Sequence, residues 1–380
     1  MVVVVSPSNV AGFPDGGGHF WVYMQYIEGL RQLGCEVYWL ERCPVGAGAN
    51  GQQDTQALRT FYARAERFGF RGNVILYSEG QNGVELTGSG VDRHHAEAVF
   101  QRADLLLNFY YAIPPGLLAC FRRTALVDID PGLLQFWIST GQLRVPPHDY
   151  YFTIGETVGT PQALFPDCGL PWVHIRPPVC LDLWPYIADP STRAFTTVSS
   201  WWGDEWITDG KTVYENNKRV TFLEFARLPR LIDCPLELAI YYGEGDADDL
   251  RTLRENGWEI RHSAEVADTP DKYQAYVQTS RGEFSCAKPS CMKFQNAWIS
   301  DRTLCYLASG RPAVVQDTGR SSFLPSGEGL FRFSTLDEAA DALSRVDADY
   351  EKHRRAAREI VEACFDARPT LERILRTTLR

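Results

Sequence analysis

Val2 to Ser6 is a short β-branched run, the pattern of a buried parallel strand. A Gly/Pro loop, Pro7 to Gly18, follows it. From His19 to Leu33 the apolar residues Phe20, Tyr23, Met24, Ile27 and Leu30 recur at three and four, which is one helical face, and Gly34 ends that helix. Glu36 to Leu40 reads as the next strand, so the chain opens with a βαβ unit. The alternation predicts a helix over 53–69, a strand at Asn73 to Tyr77, a helix from Asp92 to Arg102, and strands at Asp104 to Phe109 and Ala125 to Asp130.

Pro171 to Pro190 carries five prolines in twenty residues and reads as a linker. The βα pattern then restarts. Strands are predicted at Phe195 to Ser199, Leu236 to Tyr242, Trp258 to His262, Gly282 to Cys286 and Ala313 to Asp317, with helices at Asn217 to Leu228, Asp246 to Glu255, 270–278 and 300–309. The charged segment 335–380 is helical, with a break near Pro369. These patterns predict an α/β protein of two doubly wound, Rossmann-like domains facing a cleft, 1–180 and 190–365, with 366–380 as a helix packing back on the first.

The composition, 44% hydrophobic and 23% charged over 380 residues, is that of an ordinary globular chain and excludes a disordered or collagen-like one. A net charge of -10 argues against a nucleic-acid or anionic-membrane binder, which needs a positive field. No apolar run is long enough to span a membrane. The ten cysteines stand singly, without a C-x-x-C pair, which predicts reduced thiols in a cytoplasmic protein. Tryptophan, 10 of 380, is abundant enough to ask whether it serves a ligand or the core.

Ligands of doubly wound sheets sit outside the carboxyl ends of the strands, so the loops there are the places to look for chemistry. The first such loop is Asp15-Gly16-Gly17-Gly18-His19, where Gly17 and Gly18 would admit a ligand close to the backbone. It lacks the spacing of the dinucleotide fingerprint. His19 and Asp15 are its candidate bases, and an imidazole at neutral pH accepts a proton readily. Asp128 and Asp130, ending another strand, are candidate partners for that imidazole; as a D-x-D pair they also have a metal-binding spacing, which we weigh below the partner reading. In the second half, Glu283, Lys288, Asp301 and Arg302 gather around a predicted helix N-terminus, a combination suited to a diphosphate, and Asp317, Thr318 and Gly319 follow the next strand. Trp201 and Trp202, after the first strand of that half, could stack on a donor ring, and Phe136 and Trp137 on an acceptor. Each aromatic has the simpler reading of a core or lid residue.

The stretch Ser300-Asp301-Arg302-Thr303-Leu304-Cys305-Tyr306-Leu307-Ala308-Ser309-Gly310-Arg311-Pro312-Ala313-Val314 resembles the donor-binding helix and flanking strand of GT-B glycosyltransferases, closest to a bacterial branch related to spore-maturation glycosyltransferase-like proteins. The resemblance implies hexosyl transfer from a nucleotide diphosphate-sugar to an acceptor in an interdomain cleft, with no metal or other cofactor. By carry-over, Lys288 and Arg302 would face the diphosphate, Asp317 to Gly319 the sugar or phosphate, and His19 would stand where inverting members carry a base. Many relatives hold the ribose with a glutamate where this chain has Cys305, and Ala297 stands where retaining members place another. Because His19 is a candidate base, inversion is mildly favoured. The alternatives are a sugar-nucleotide epimerase or phosphorylase on the same fold, or a non-catalytic sugar-nucleotide or glycan binder.

Overall fold

The structure is a computed structural model that describes residues 1–44, 55–80, 83–87, 90–188, 193–203, 206–208 and 213–379. The predicted helix start at 53–54, Pro190 and Asp204 lie outside the described residues. The chain divides into two compact units: Met1–Gly159 with Pro166–Pro178 and Ala367–Arg380, and Thr160–Phe165 with Val179–Asp366.

The first unit runs β1 (Val2–Ser6), α1 (Gly17–Gln32), β2 (Glu36–Arg42), α2 (Thr55–Arg67), β3 (Val74–Gly80), β4 (Gly83–Thr87), α3 (Arg93–Arg102), β5 (Leu105–Asn108), α4 (Pro115–Leu118), β6 (Thr124–Asp128), α5 (Leu133–Ser139), β7 (Tyr150–Thr153) and β8 (Trp172–His174). They form one sheet in the order β4-β3-β2-β1-β5-β6-β7-β8, parallel except for the β3–β4 hairpin. Alternation along β1 sends Val2 and Val4 into a core with Ala96, Val99 and Phe100 of α3. On α1, Phe20 stacks against Trp39, which also stacks against Phe70, at centroid separations of 5.7 and 5.1 Å.

The second unit runs β9 (Phe195–Ser199), a hairpin of β10 (Trp206–Thr208) and β11 (Val213–Glu215), α6 (Lys218–Glu224), β12 (Leu236–Ile240), α7 (Ala247–Glu255), β13 (Glu259–His262), α8 (Ser263–Val266), α9 (Pro270–Thr279), β14 (Gly282–Ser285), α10 (Pro289–Phe294), α11 (Asp301–Ala308), β15 (Ala313–Gln316), β16 (Leu330–Phe333), α12 (Leu336–Ala348) and α13 (Tyr350–Cys364). Its six parallel strands are ordered β13-β12-β9-β14-β15-β16. The strand order reverses between β9 and β14 here and between β1 and β5 in the first unit, so each sheet has its switch-point crevice beside its first strand.

Three differences from the predicted elements have local causes. The Pro-rich stretch contains β8, an edge strand: Pro171 precedes it and Pro177 and Pro178 follow, so no proline occupies a ladder position. The helix expected over Asn217 to Leu228 ends at Glu224, and a 3-10 turn at Leu228–Leu231 carries Pro229 at its start. The break expected near Pro369 is present but falls just ahead of the proline, at Phe365–Asp366; Pro369 itself sits in the first turn of α14 (Ala367–Thr378), where a missing N–H costs nothing, and α14 packs on α1 within the first unit.

Candidate functional site

In the first unit the loop after β1 leads into α1 with Gly16 as N-cap. A Cβ on Gly16 would stand 2.2 Å from the Phe13 ring, so this glycine is required by the loop's own packing. Asp15 is exposed, Gly17 buried, and Gly18 and His19 half-buried. The His19 Nε2 lies 2.7 Å from the Ser8 carbonyl, a contact that only a protonated nitrogen can make, so Nδ1 carries the basic lone pair. Phe13 and Tyr23 meet the imidazole edge-on at 5.8 and 5.2 Å and fix its plane.

Asp128 ends β6, two strands from β1, which is about 9–10 Å across the sheet. It is fully buried. One oxygen accepts from the Gln135 amide at 2.9 Å and the Thr153 hydroxyl at 2.8 Å, and the other accepts the Asp130 N–H at 2.9 Å. Burial pushes its carboxyl up to about 7 against these donors. Tyr111 donates to Asp130 at 3.1 Å. Gln135 closes the network by accepting the Gly132 N–H at 2.6 Å, which caps α5 and sets Phe136 and Trp137, both half-buried, on that helix. The arrangement makes Asp128 the organiser of the Asp130-Pro131-Gly132 turn. Among the described residues no group of three or more His, Cys, Asp or Glu side chains is placed to hold a metal ion.

In the second unit the carboxyl ends of β9 and β14 converge on a cluster of cations. Arg302, in the first turn of α11, donates Nε–H to Glu283 at 2.7 Å, a second N–H to the Val198 carbonyl at 2.9 Å, and a third to the Ser285 hydroxyl. Glu283 is fully buried, and its other oxygen has no hydrogen-bond partner among the described residues. Three of the five guanidinium N–H donors thus face protein groups, so Arg302 adds its charge to the crevice through space. Lys288 is the half-buried N-cap residue of α10. Ser300 caps α11 by accepting the Arg302 N–H at 3.3 Å, with Asp301 beside it.

The residue that sequence reasoning missed is Lys218, the first residue of α6. Its side chain is buried, with Nζ 5.8 Å from the Trp298 ring centroid. Burial, then Arg302, then Lys288 depress its ammonium to about 7, while Glu283 works in the opposite direction. A sequence signal existed. Lys218 and Arg219 open a helix, where the macrodipole favours acids; Arg219 is paired with Asp249 and Glu215, which leaves Lys218 as the cation that this position disfavours.

The loops beneath this cluster are stitched together. Thr318 donates its hydroxyl to the Trp298 carbonyl at 2.6 Å, and the Ala297 N–H reaches the Thr318 carbonyl at 3.1 Å. Asp317 accepts the Gly319 N–H at 2.9 Å and pairs with Arg332. Gly319 has φ 128°, and a Cβ there would stand 2.7 Å from the Gln295 carbonyl oxygen, so only glycine fits. Gln295 and Ala297 are left-handed without being glycine, which concentrates backbone strain in the segment that carries Trp298. The two indoles after β9 divide. Trp201 is buried among Phe195, Phe222 and Phe284, whereas Trp202 is 49% exposed, held by its N–H to Asp246 at 2.6 Å and covered on its ring by Arg219 at 4.8 Å.

No protein-family model matches this chain, and no curated protein matches its sequence. Solved structures match over nearly all of it. An alpha-glucosyltransferase in complex with UDP and a 13-mer DNA aligns with a TM-score of 0.60 at 11% identity, covering 99% of this chain and 98% of that one. HepE of Anabaena, in complex with UDP and glucose, aligns at 0.56 with 12% identity over 99% of each chain. The pneumococcal O-GlcNAc transferase GtfA, in complex with UDP and GlcNAc, aligns at 0.55 with 10% identity over 99% of this chain and 98% of that one. This chain has the GT-B fold of those glycosyltransferases.

Proposed function

Proceeding from that fold, we propose that this protein transfers a glycosyl group, of hexosyl type, from a nucleoside diphosphate-sugar to an acceptor hydroxyl. The observation that carries the reading is the buried Lys218 beside Arg302 and Lys288, at the carboxyl ends of the strands flanking the switch point of the second sheet. A lysine whose charge is disfavoured by burial and by neighbouring cations is unfavourable in the free protein and favourable once a diphosphate arrives. The solved neighbours HepE and GtfA carry UDP, which supports a nucleotide as that anion. In the proposed step His19 Nδ1 takes the acceptor proton, the oxygen attacks the anomeric carbon, and Lys218 with Lys288 and the field of Arg302 stabilises the departing diphosphate. One attack by one external base implies inversion. In this reading the positive charge that neutralises the leaving group comes from these side chains, so the step as drawn uses no metal. Asp15, Phe136, Trp137 and the exposed face of Trp202 are left for acceptor and donor contacts. The likeness to the spore-maturation branch rests on the Ser300 to Val314 motif alone.

The test is calorimetric titration of UDP, GDP and ADP from pH 7 to 9. Because Lys218 is depressed to about 7 and the diphosphate raises it, binding above pH 7 takes up a proton, and affinity falls as pH rises. Lys218→Met is expected to weaken nucleoside diphosphate binding about tenfold at pH 7, as loss of a charged hydrogen bond does, and to flatten the pH dependence. Failure of all three nucleotides to bind the wild-type protein would falsify the reading.

A further inference from the structure

Glu41 lies under the loop that carries His19 and has no part in the step above. It is fully buried on β2, on the same face as Trp39. One carboxyl oxygen accepts the Ala11 N–H at 3.3 Å, and the other accepts the Trp39 indole N–H at 2.8 Å. Its two ends differ in kind. Trp39 is a fixed post, packed against Phe20, Phe61 and Phe70, whereas Val10 and Ala11 belong to the loop. From Val10 a chain of backbone hydrogen bonds runs to the helix: Phe13 N–H to the Val10 carbonyl at 3.2 Å, Gly16 to Phe13 at 3.1 Å, and Phe20 to Gly16 at 3.0 Å. Two residues before Val10 stands Ser8, whose carbonyl accepts the His19 Nε2–H.

A carboxyl in this apolar setting is costly, and an aliphatic side chain would fill the volume at less cost. Burial holds Glu41 at about 8 even against its N–H donors. The other titratable groups that interact with it are Arg42 and Cys43, one and two residues further along the chain, and Tyr77 on β3, while Arg64 on α2 reaches the loop at the Pro14 carbonyl. Its hydrogen bonds go to the loop and to Trp39. We infer that Glu41 is a positioning residue for His19: its carboxyl ties the Val10–Ala11 turn to the Trp39 post and so fixes the Ser8 carbonyl that selects the imidazole tautomer. The functional importance of this rests on the reading of His19 as the base, but the positioning can be measured without a donor.

The experiment uses the full chain with histidine-selective 15N labelling, together with amide hydrogen exchange. Glu41→Gln keeps the volume but sets an NH2 against one of the N–H donors, and Glu41→Leu removes both anchors. Expected are about tenfold faster exchange at Val10 and Ala11 in Glu41→Gln, still faster exchange in Glu41→Leu, and in both a His19 that moves from the single Nε2–H tautomer to a mixture. Faster exchange with the His19 tautomer unchanged overturns the inference, because Glu41 then only stabilises the loop. Unchanged exchange overturns it as well. If the tautomer shifts in a protein that binds no nucleotide, the positioning stands and the transferase reading fails.

Discussion

Arg302→Met is expected to lower stability by about 3–5 kcal/mol, read as a shift of the urea transition, because it removes one partner of a buried ion pair. Glu283 is fully buried, with one oxygen bonded to Arg302 at 2.7 Å and the other without a hydrogen-bond partner among the described residues. Losing the guanidinium leaves a carboxylate at the centre of the second sheet without its ion-pair partner, and strands the Val198 carbonyl and the Ser285 hydroxyl as well. The double variant Glu283→Leu with Arg302→Met should recover most of that loss, since apolar replacement of both partners is often near neutral. If the single variant costs no more than a surface substitution, or if the double variant is no better than the single, the pair is not what holds the carboxyl ends of β9 and β14 together. The same variants separate two contributions of Arg302. A guanidinium acting through space on Lys218 lets Lys218 rise toward its ordinary value when removed, which the pH dependence of UDP binding would report.

Much of this architecture was legible in the sequence because parallel strands buried on both faces read as unbroken apolar runs. Val2 to Ser6, Leu105 to Asn108 and Leu236 to Ile240 could be little else. What escaped was set by tertiary pairing. Trp172–His174 looks like linker until β7 offers it an edge, and Gly83–Thr87 has no pattern beyond its antiparallel match to β3. The crevice of the second unit was found through its basic residues, but their division of labour was not. Glu283 and Arg302 differ by nineteen positions, and nothing local says that they face each other. Lys218 was overlooked because a lysine in the first turn of a short helix looks like a surface residue; its burial under Trp298 is a property of the folded loops. The tryptophans resolve by neighbours too: Trp201 joins the core and Trp202, one residue later, faces out against Asp246 and Arg219.

His19→Ala is expected to lower kcat by about 10²–10⁴, the usual worth of general-base catalysis, while leaving UDP affinity at its wild-type value. The argument rests on the geometry of one side chain. The Ser8 carbonyl at 2.7 Å holds the proton on Nε2 and so leaves Nδ1 as the base, while the Phe13 and Tyr23 rings keep the imidazole from turning. Its position at the carboxyl end of β1, beside the switch point of the first sheet, is the place where a doubly wound unit presents chemistry. The measurement is steady-state transfer from a UDP-sugar found by the nucleotide titrations, with kcat and KM reported separately. A loss of kcat at unchanged donor KM assigns His19 to the chemical step, and it is the mirror of Lys218→Met, in which donor binding weakens first. Wild-type kcat in His19→Ala removes the base assignment and leaves Asp15, on the same loop, as the next group to replace. Loss of UDP binding in His19→Ala would instead mean that the loop after β1 is part of the donor site, and the division of roles between the two sheets would have to be redrawn.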